Sequence, residues 1–336
     1  MPKEAMYYDK LEGNVVQCHL CPKNCVVKKG EFGNCNARQN IDGKLYSMVY
    51  GKVTGISMDP VEKKPLFHFL PGKGVFSIGT SGCNLHCKFC QNWNTSQVKP
   101  YEINVDEVTP AQIVKKAIKS GSHMIAYTYN EPIIFYEFVL ETAKLAKKKG
   151  LKNIIVCNGF IQEEPLKALL PYLDAANIDL KSFEDKFYRD ICSAWLEPVL
   201  NTLKILNKSN VHLEITNLVI PKLNDKSILV GNMCKWIKKE LGDEVPLHFS
   251  RFFPCYLMHD LTHTSEKTLS RLGNIAKKEG LKYVYIGNIK LKDWENTYCS
   301  KCGKLVIERD YYNILQDNTK KGKCMYCNKK VSSGFN

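Results

Sequence analysis

Short apolar segments alternate with amphipathic stretches between about residues 74 and 289. The apolar segments are rich in β-branched residues, as in strands that are buried on both faces of a parallel sheet. The stretches between them repeat apolar residues at helical spacing, and two of them end in Gly150 and Gly280, as helices tend to do. The predicted strands are Val75–Gly79, Met124–Tyr129, Asn153–Cys157, Ala175–Asp179, Val211–Leu218, Leu247–Arg251 and Tyr283–Ile286. The predicted helices lie near Pro110–Lys119, Ile133–Lys149, Pro165–Leu170, Leu196–Leu206, Ser227–Leu241 and Glu266–Glu279.

This order of elements predicts an α/β fold in which right-handed crossovers connect the strands of one parallel sheet. Six or seven such units curl into a barrel that is closed fully or partly. We therefore expect a partial (β/α)6-type TIM barrel with small four-cysteine metal modules at both termini. The expected division is 1–72 for the N-terminal module and a covering loop, 73–290 for the barrel, and 291–336 for a C-terminal zinc-ribbon-like module.

Two segments before the barrel show no helical period. Residues 45–58 combine β-branched and aromatic side chains, which predicts a hairpin-like pair of strands. Residues 59–72 are too rich in proline for either regular element, so they are predicted to form a linker or a loop that covers the barrel.

Cysteine usage indicates metal sites in a reducing compartment. Eleven of the 15 cysteines fall into three groups with metal-ligand spacing, and cytosolic thiols are kept available for metals. No apolar run approaches the length of a membrane span, and the first residues lack the apolar middle of a signal peptide. We therefore expect a cytoplasmic protein without a membrane partner. The formal charge of +14, or roughly +9 once metal-bound thiolates are counted, suggests an anionic partner such as RNA. Many of the lysines, however, lie on predicted helices, where a solvated outer face is the default explanation.

The first and last cysteine groups each offer four thiolates and no open position, which indicates structural sites. The first is Cys18, Cys21, Cys25 and Cys35, with zinc or a second iron–sulfur cluster as the expected metal. The last is Cys299, Cys302, Cys324 and Cys327, two Cys-x-x-Cys pairs in the pattern of a zinc ribbon. A rubredoxin-like iron is the alternative for this last group.

The middle group, Cys83, Cys87 and Cys90, lies on a loop after the first predicted barrel strand. Three thiolates at this spacing can bind one face of an iron–sulfur cluster, which leaves one iron of a four-iron cubane open. An open coordination position is typical of a catalytic metal site. The alternatives are a zinc knuckle or buried free thiols.

Polar residues also gather where the next strands end, and the active site of a βα barrel lies at that edge. They are Asn130 and Glu131 after the second strand, Asn158 after the third, Asp179 and Lys181 after the fourth, Thr216 and Asn217 on the fifth, and His248 and Arg251 on the sixth. Any single one is explained by capping or turn formation. Their occurrence along one rim predicts a functional site.

The Cys-x3-Cys-x2-Cys loop after the first barrel strand, with Phe89 directly before the third thiol, resembles the radical S-adenosylmethionine (radical SAM) superfamily. The segments GTSGCNLHCKFCQNW, AYTYNEP, NIDLKSF, EITNLVIPKLND and HFSRFFP look like the branch related to pyruvate formate-lyase activating enzymes, specifically the AmmeMemoRadiSam system radical SAM group. Both terminal modules also resemble that group, so the likeness covers nearly the whole chain.

The resemblance implies that the three thiols bind a 4Fe-4S cluster whose open iron is chelated by S-adenosylmethionine. Reductive cleavage would give a 5′-deoxyadenosyl radical that abstracts a hydrogen atom, with a reductant such as ferredoxin or flavodoxin as electron donor. Glu131 takes the place of the motif for the methionine ammonium, although the frequent Gly-Gly-Glu is here Tyr129-Asn130-Glu131. Lys181 is expected at the methionine carboxylate. The other residues expected around the cofactor are Phe89, Asn130, Asn158, Asp179, Thr216, Asn217, His248 and Arg251.

The two four-cysteine modules would extend the surface around the barrel mouth beyond what a metabolite requires. We therefore expect an oxidoreductase with a large substrate, either a protein, as for glycyl-radical activating enzymes, or RNA. The alternative is a zinc-dependent RNA-binding module without radical chemistry, which leaves the series Glu131, Asp179 and Lys181 unexplained.

Overall fold

The computed structural model describes residues 2–335, and its largest element is an eight-stranded sheet. The strands follow one another across the sheet in chain order. They are β1 (Gly55–Pro60), β2 (Gly74–Gly79), β3 (Met124–Tyr127), β4 (Lys152–Cys157), β5 (Ala175–Asp179), β6 (His212–Val219), β7 (Leu247–Arg251) and β8 (Val284–Gly287). Neighbours from β2 to β8 are parallel, whereas β1 runs antiparallel to β2.

Helices connect the parallel strands. They are α1 (Pro110–Lys119), α2 (Tyr136–Lys148), α3 (Glu163–Leu169), α4 (Asp185–Cys192), α5 (Leu196–Asn207), α6 (Ser227–Glu240) and α7 (Glu266–Lys278). Single-turn and 3-10 helices lie at Glu12–Asn14, Val61–Lys63, Trp93–Ser96, Pro132–Phe135, Leu170–Tyr172 and Tyr256–Met258. The start of α1 is fixed by a capping box between Thr109 and Gln112, with Pro110 in the first turn. Within residues 2–335, no helix has the length and apolar character needed to cross a membrane.

The predicted fold class is confirmed, because an α/β chain with a mostly parallel sheet forms a partial barrel. Over the described residues, the sheet has seven parallel strands, which correspond to the seven predicted strands, and β1 adds an antiparallel edge. The two end strands β1 and β8 are not paired with each other in residues 2–335, so the barrel is open. Helix α4 was not predicted, because it is only eight residues long and four of these residues are charged; it buries Phe187, Tyr188 and Cys192.

The predicted hairpin in residues 45–58 is wrong. Strand Lys44–Ser47 lies between Lys3–Glu4 and Arg38–Ile41, whereas Lys52–Val53 pairs with Asp106–Glu107. The third strand of the region, β1, extends the edge of the central sheet, where it satisfies its backbone groups along six residues. The three-part division of the chain stays a prediction, and β1 lies before its boundary at residue 72.

Small antiparallel sheets flank the barrel in both terminal segments. Near the N-terminus, the strands beside the first cysteines are Tyr8–Lys10, Val16–Cys18 and Val26–Val27. In the C-terminal segment, the strands are Thr297–Tyr298, Leu305–Asp310 and Asn313–Asp317, followed by the pair Thr319–Lys320 and Lys323–Cys324.

Residues 61–73, here called the plug loop, enter the barrel at the end where the parallel strands begin. The backbone N–H groups of Phe67 and His68 donate to the Glu214 carboxylate at 3.0 and 2.7 Å. Leu66 and Phe69 of the plug loop belong to an apolar cluster with inward-facing residues of β2 to β5. The predicted covering loop therefore closes the barrel from inside at the amino ends of its strands.

Candidate active site

A cavity of about 380 Å³ opens at the carboxyl ends of the barrel strands. Its volume lies within the roughly 300–1,000 Å³ typical of sites for cofactors and small molecules. Pro65 of the plug loop lies among its lining residues, and Tyr312 reaches it from the C-terminal segment. The structure brings ten of the predicted site residues to this cavity: Cys83, Cys87, Phe89, Cys90, Asn130, Glu131, Asn158, Asp179, Lys181 and Thr216.

The thiol loop, residues 80–92, is fixed by backbone hydrogen bonds on both sides. The N–H of Cys83 donates to the carbonyl of Cys35 in the N-terminal module at 3.1 Å, and the N–H of His86 donates to the carbonyl of Cys192 at 3.0 Å. Gly82 makes the turn before the first thiol with φ +85°, a conformation that glycine adopts readily. The loop is therefore held between the N-terminal module and α4.

The three thiols of this loop are too far apart to share one metal ion. In the described part of the chain, the sulfurs of these three thiols do not all lie within 4.8 Å of one another, whereas those of the four C-terminal cysteines do. Thiolates around a tetrahedral zinc lie about 3.8 Å apart, given Zn–S bonds of about 2.3 Å. In an iron–sulfur cubane each thiolate binds a different iron, so the sulfurs are more widely spaced. The donor set and its spacing fit a cluster.

A half-buried ion pair, Lys181 and Asp179, lies beside the thiols. The Lys181 ammonium is 2.9 Å from the Asp179 carboxylate, and its side chain is 12% exposed. Burial alone lowers the pKa of Lys181, but Asp179 and Cys87 outweigh it and hold this pKa well above its usual value. The ammonium also lies 5.8 Å from the centre of the Phe89 ring. Lys181 therefore stays a cation that can pair with an anionic group in the cavity.

Glu131 lies in the cavity wall, and each oxygen of its carboxylate accepts a backbone hydrogen bond. The N–H of Ile133 donates at 3.0 Å and the N–H of Asn158 at 2.9 Å. Burial raises the pKa of Glu131 to about 8. The Asn158 side chain donates in turn to Asn84 at 2.8 Å and lies 3.8 Å from the Cys83 sulfur. Glu131 thus joins the ends of β3 and β4, and it retains lone pairs for an ammonium group.

Asn130 ties this region to the thiol loop. Its side-chain oxygen accepts from the N–H of Thr80 at 3.1 Å, and its amide donates to the carbonyl of Gly82 at 2.6 Å. The preceding Tyr129, which replaces a glycine of the resembled motif, has φ +74°. The backbone therefore keeps a conformation that favours glycine, and the Tyr129 hydroxyl donates to Asp59 at 2.7 Å.

Comparison with known proteins identifies the family. A model described as the radical SAM superfamily matches residues 77–230. An uncharacterized protein of Methanocaldococcus jannaschii is 46% identical over 331 residues, which cover 98% of each chain. The chain belongs to the radical SAM superfamily.

More distant relatives agree with this radical SAM assignment. Pyruvate formate-lyase 1-activating enzyme of Escherichia coli K12 is 26% identical over 161 residues, 46% of this chain and 65% of that enzyme. A radical SAM methyltransferase from Sphaerobacter thermophilus has a TM-score of 0.52 at 13% identity, with 66% of this chain and 68% of that chain covered. Streptococcus suis SuiB bound to S-adenosylmethionine has a TM-score of 0.51 at 10% identity, covering 68% and 53%. The two structures show a shared fold.

Three residues predicted for the radical SAM site lie outside the cavity. The His248 side chain points into the barrel but lies between the cavity and the plug loop. There its imidazole Nε2 forms a 2.6 Å hydrogen bond with the Glu214 carboxylate. Asn217 and Arg251 point to the other face, because side chains alternate along a strand and Thr216 and Ser250 take the inward positions. Asn217 donates instead to the carbonyl of Leu180 at 2.7 Å, and Arg251 lies over the Phe253 ring.

Several residues of the site could not be found from the sequence. Cys192 and Tyr188 belong to the unpredicted α4. The Cys192 thiol hydrogen bonds to Cys87 and lowers the pKa of Cys87, whereas the Tyr188 hydroxyl accepts from the N–H of Lys181 at 3.0 Å. Lys64 of the plug loop lines the cavity, and its ammonium is 2.7 Å from Asp59. A Lys-Lys-Pro sequence in a proline-rich segment has no period or motif that marks it as part of a site.

The C-terminal cysteine group has the geometry of a site for one ion. The sulfurs of Cys299 and Cys327 are 3.4 Å apart, and those of Cys302 and Cys324 are 3.8 Å apart. All four lie within 4.8 Å of one another. These separations match the about 3.8 Å of thiolates around a tetrahedral ion. This group can therefore bind a metal.

Proposed function

We propose that this radical SAM enzyme abstracts a hydrogen atom from a protein, as the activating enzymes among its relatives are named for acting on other enzymes. Membership of the superfamily implies a 4Fe-4S cluster, S-adenosylmethionine and a reductant. When bound and reduced, these groups supply a 5′-deoxyadenosyl radical. The observation that supports the proposal is the convergence of three widely spaced thiols and the Lys181–Asp179 pair on one cavity of cofactor size.

The residues around the cavity have distinct tasks in this proposal. Cys83, Cys87 and Cys90 would hold the cluster. Lys181 presents its ammonium to the carboxylate of the methionine part, and Asp179 orients that ammonium through their 2.9 Å contact. Glu131, which is fully buried, offers its remaining lone pairs to the methionine ammonium. The plug loop closes the barrel behind these groups and excludes water that would quench a radical.

An exposed apolar surface beside the thiol loop supports a protein substrate. Trp93, Phe253 and Leu257 are 46%, 44% and 60% exposed. Trp93 stacks on Tyr256 with ring centres 5.3 Å apart, and the N–H of Leu257 donates to the carbonyl of Lys88 in the thiol loop at 3.0 Å. Contiguous exposed apolar residues mark sites of protein contact. The +14 charge supports RNA as the second candidate substrate.

Anaerobic reconstitution with iron and sulfide tests the enzyme proposal. After reduction in the presence of S-adenosylmethionine, we expect 5′-deoxyadenosine from the wild type and none from Cys87→Ala. Cys234→Ala is the matched control, because Cys234 is equally buried but lies on α6, outside all three cysteine groups. Equal product from Cys87→Ala and wild type would refute the assignment of the thiol loop.

The two substrate classes are separated by titration with unfractionated tRNA at two salt concentrations. If the substrate is a protein, tRNA binding is nonspecific, so it falls steeply with salt and leaves 5′-deoxyadenosine formation unchanged. Product formation that depends on tRNA, with tRNA binding that weakens steeply as salt is added, would favour RNA and refute a protein substrate, whereas salt-independent binding would count against RNA.

We also propose zinc as the metal of the C-terminal group. Its four thiolates and single-ion spacing suit a closed tetrahedral site. Cys324→Ala should lose zinc while it retains the iron of the thiol loop. Iron rather than zinc at this position, found by metal analysis of the wild type reconstituted in the presence of both metals, would contradict the assignment.

A further inference from the structure

The four thiols of the N-terminal module surround one enclosed cavity that is separate from the active-site cavity. They are Cys18, Cys21, Cys25 and Cys35. The other walls are mostly apolar, with Leu20, Val27, Leu45 and Ile134 each at most 1% exposed. A group held here is therefore shielded from water on most sides, and the partly exposed Cys25 is its nearest approach to the surface.

Like the thiol loop and unlike the C-terminal group, the N-terminal module does not hold its sulfurs at the spacing of a single-ion site. No three of the four have sulfurs within 4.8 Å of one another in the described part of the chain, whereas all four sulfurs of the C-terminal group do. Wide spacing with the thiols around a cavity is the arrangement expected when each thiolate binds a different iron. A single tetrahedral zinc would require sulfurs about 3.8 Å apart.

A buried cation accompanies the four thiols. The Arg38 guanidinium is 2% exposed, and its Nη1 lies 3.7 Å from the Cys18 sulfur while it donates to the carbonyl of Met6 at 2.8 Å. Its other terminal nitrogen pairs with the buried Glu137. A positive N–H donor beside a ligand sulfur stabilises additional negative charge on a cluster, and so favours its reduced state.

The N-terminal cavity is in direct contact with the thiol loop. The carbonyl of Cys35, a ligand residue of one group, accepts from the N–H of Cys83, a ligand residue of the other, at 3.1 Å. A path between the two sulfurs therefore runs through the side chain and carbonyl of Cys35, one hydrogen bond, and the backbone and side chain of Cys83. Asn84 also lines the N-terminal cavity and accepts from Asn158, which lines the active site.

We propose that the N-terminal module holds a second 4Fe-4S cluster, and that this cluster passes electrons to the site of Cys83, Cys87 and Cys90. A one-electron donor protein of the ferredoxin or flavodoxin class is oxidised by one electron and the N-terminal cluster is reduced by one. The same electron then moves along the Cys35–Cys83 contact, so the N-terminal cluster returns to its oxidised state. The cluster assignment stands by itself, whereas the electron transfer rests on the proposed radical SAM function.

Metal analysis of the anaerobically reconstituted wild type tests the second cluster. Two cubanes and a C-terminal zinc predict about eight irons and about one zinc per chain. About four irons with two zincs would overturn the proposal. The double variant Cys83→Ala/Cys87→Ala should retain about half of the wild-type iron and cluster absorbance, even if no 5′-deoxyadenosine is ever formed. Loss of all iron from that variant would also overturn it.

Electron transfer is tested with Cys21→Ala, which should lose the N-terminal cluster only. Cys234→Ala, a buried thiol on α6 outside all three cysteine groups, is the matched control. We expect reduced flavodoxin to reduce the thiol-loop cluster of Cys21→Ala at least tenfold more slowly than the thiol-loop cluster of the control. Both reductions are followed by electron paramagnetic resonance. Dithionite, a small donor, should reduce both at similar rates. Equal rates with flavodoxin would overturn electron transfer through the N-terminal cluster.

Discussion

Gly82→Ala should destabilise the protein more than any conformational preference of glycine explains. Gly82 has φ +85°, and a Cβ there would meet the Cys35 carbonyl oxygen well inside the 3.0 Å that Cβ atoms essentially never pass. The turn cannot rotate away, because the N–H of Gly82 donates to Thr95 at 2.9 Å and its carbonyl accepts from Asn130 at 2.6 Å. The N-terminal module must therefore move away from the thiol loop.

The expected loss of folding free energy in Gly82→Ala has two parts. A left-handed alanine costs about 1–2 kcal/mol. Displacement of the Cys35 carbonyl breaks its hydrogen bond with Cys83 and leaves a buried donor unpaired, about 1–3 kcal/mol more. Gly121→Ala is the matched control, since Gly121 has φ +75° with no atom within 4 Å of a Cβ and incurs only the first part.

Thermal unfolding of both variants measures the difference. At roughly 2 °C per kcal/mol for a chain larger than 150 residues, Gly82→Ala should melt about 2–6 °C below Gly121→Ala. It should also retain less iron after reconstitution, because the loop that carries Cys83 has shifted. Equal melting temperatures for Gly82→Ala and Gly121→Ala would refute the tight contact between the two cysteine groups.

Three further predictions concern buried charge. Glu137→Ala leaves the Arg38 guanidinium buried without its partner and should lower the free energy of unfolding by about 3–5 kcal/mol in urea titrations, against less than about 1 kcal/mol for the half-exposed Glu141→Ala on the same helix. Burial lowers the pKa of His68 from 6.5 to about 4. As pH falls from about 6.5 to about 4, His68 therefore takes up a proton in the unfolded chain but not in the folded one. Stability should therefore drop by about 2 kcal/mol between pH 7 and pH 5, and His68→Gln should remove that slope; a slope identical to wild type would contradict the assignment. Lys181→Met should weaken S-adenosylmethionine binding about tenfold or more in equilibrium dialysis, since hydrogen bonds to charged groups contribute about 1.5–3 kcal/mol; unchanged affinity would remove Lys181 from the site.

Local patterns carried much of the prediction. The strand Ala175–Asp179 and the helix Pro110–Lys119 were predicted to the residue, because the spacing of apolar residues is a property of neighbouring residues. The hairpin in residues 45–58 failed because strand partners are chosen by the whole sheet. Strand β1 matches its prediction of a strand but pairs with β2 rather than with its sequence neighbour.

The candidate site divides in the same way. The sequence predicted which strand ends carry polar residues. It did not show that Ser250 lines the cavity whereas His248, on the same strand, does not. Both side chains point inward. His248 contacts Glu214 and the plug loop, which fill the barrel at its depth, whereas Ser250 reaches the cavity. Depth in a barrel depends on strand register and on what fills the interior, and neither is encoded in a single strand.

The sequence by itself determined the family, the βα order and the grouping of the cysteines, since thiols close in sequence are brought together by short turns whatever surrounds them. Only the tertiary structure decided how far apart the thiols of each group lie. It also decided that Cys35 and Cys83, 48 residues apart in sequence, share a hydrogen bond. Sulfur separation depends on the packing around each loop, and that packing distinguishes a single-ion site at the C-terminus from a wider cavity at the N-terminus.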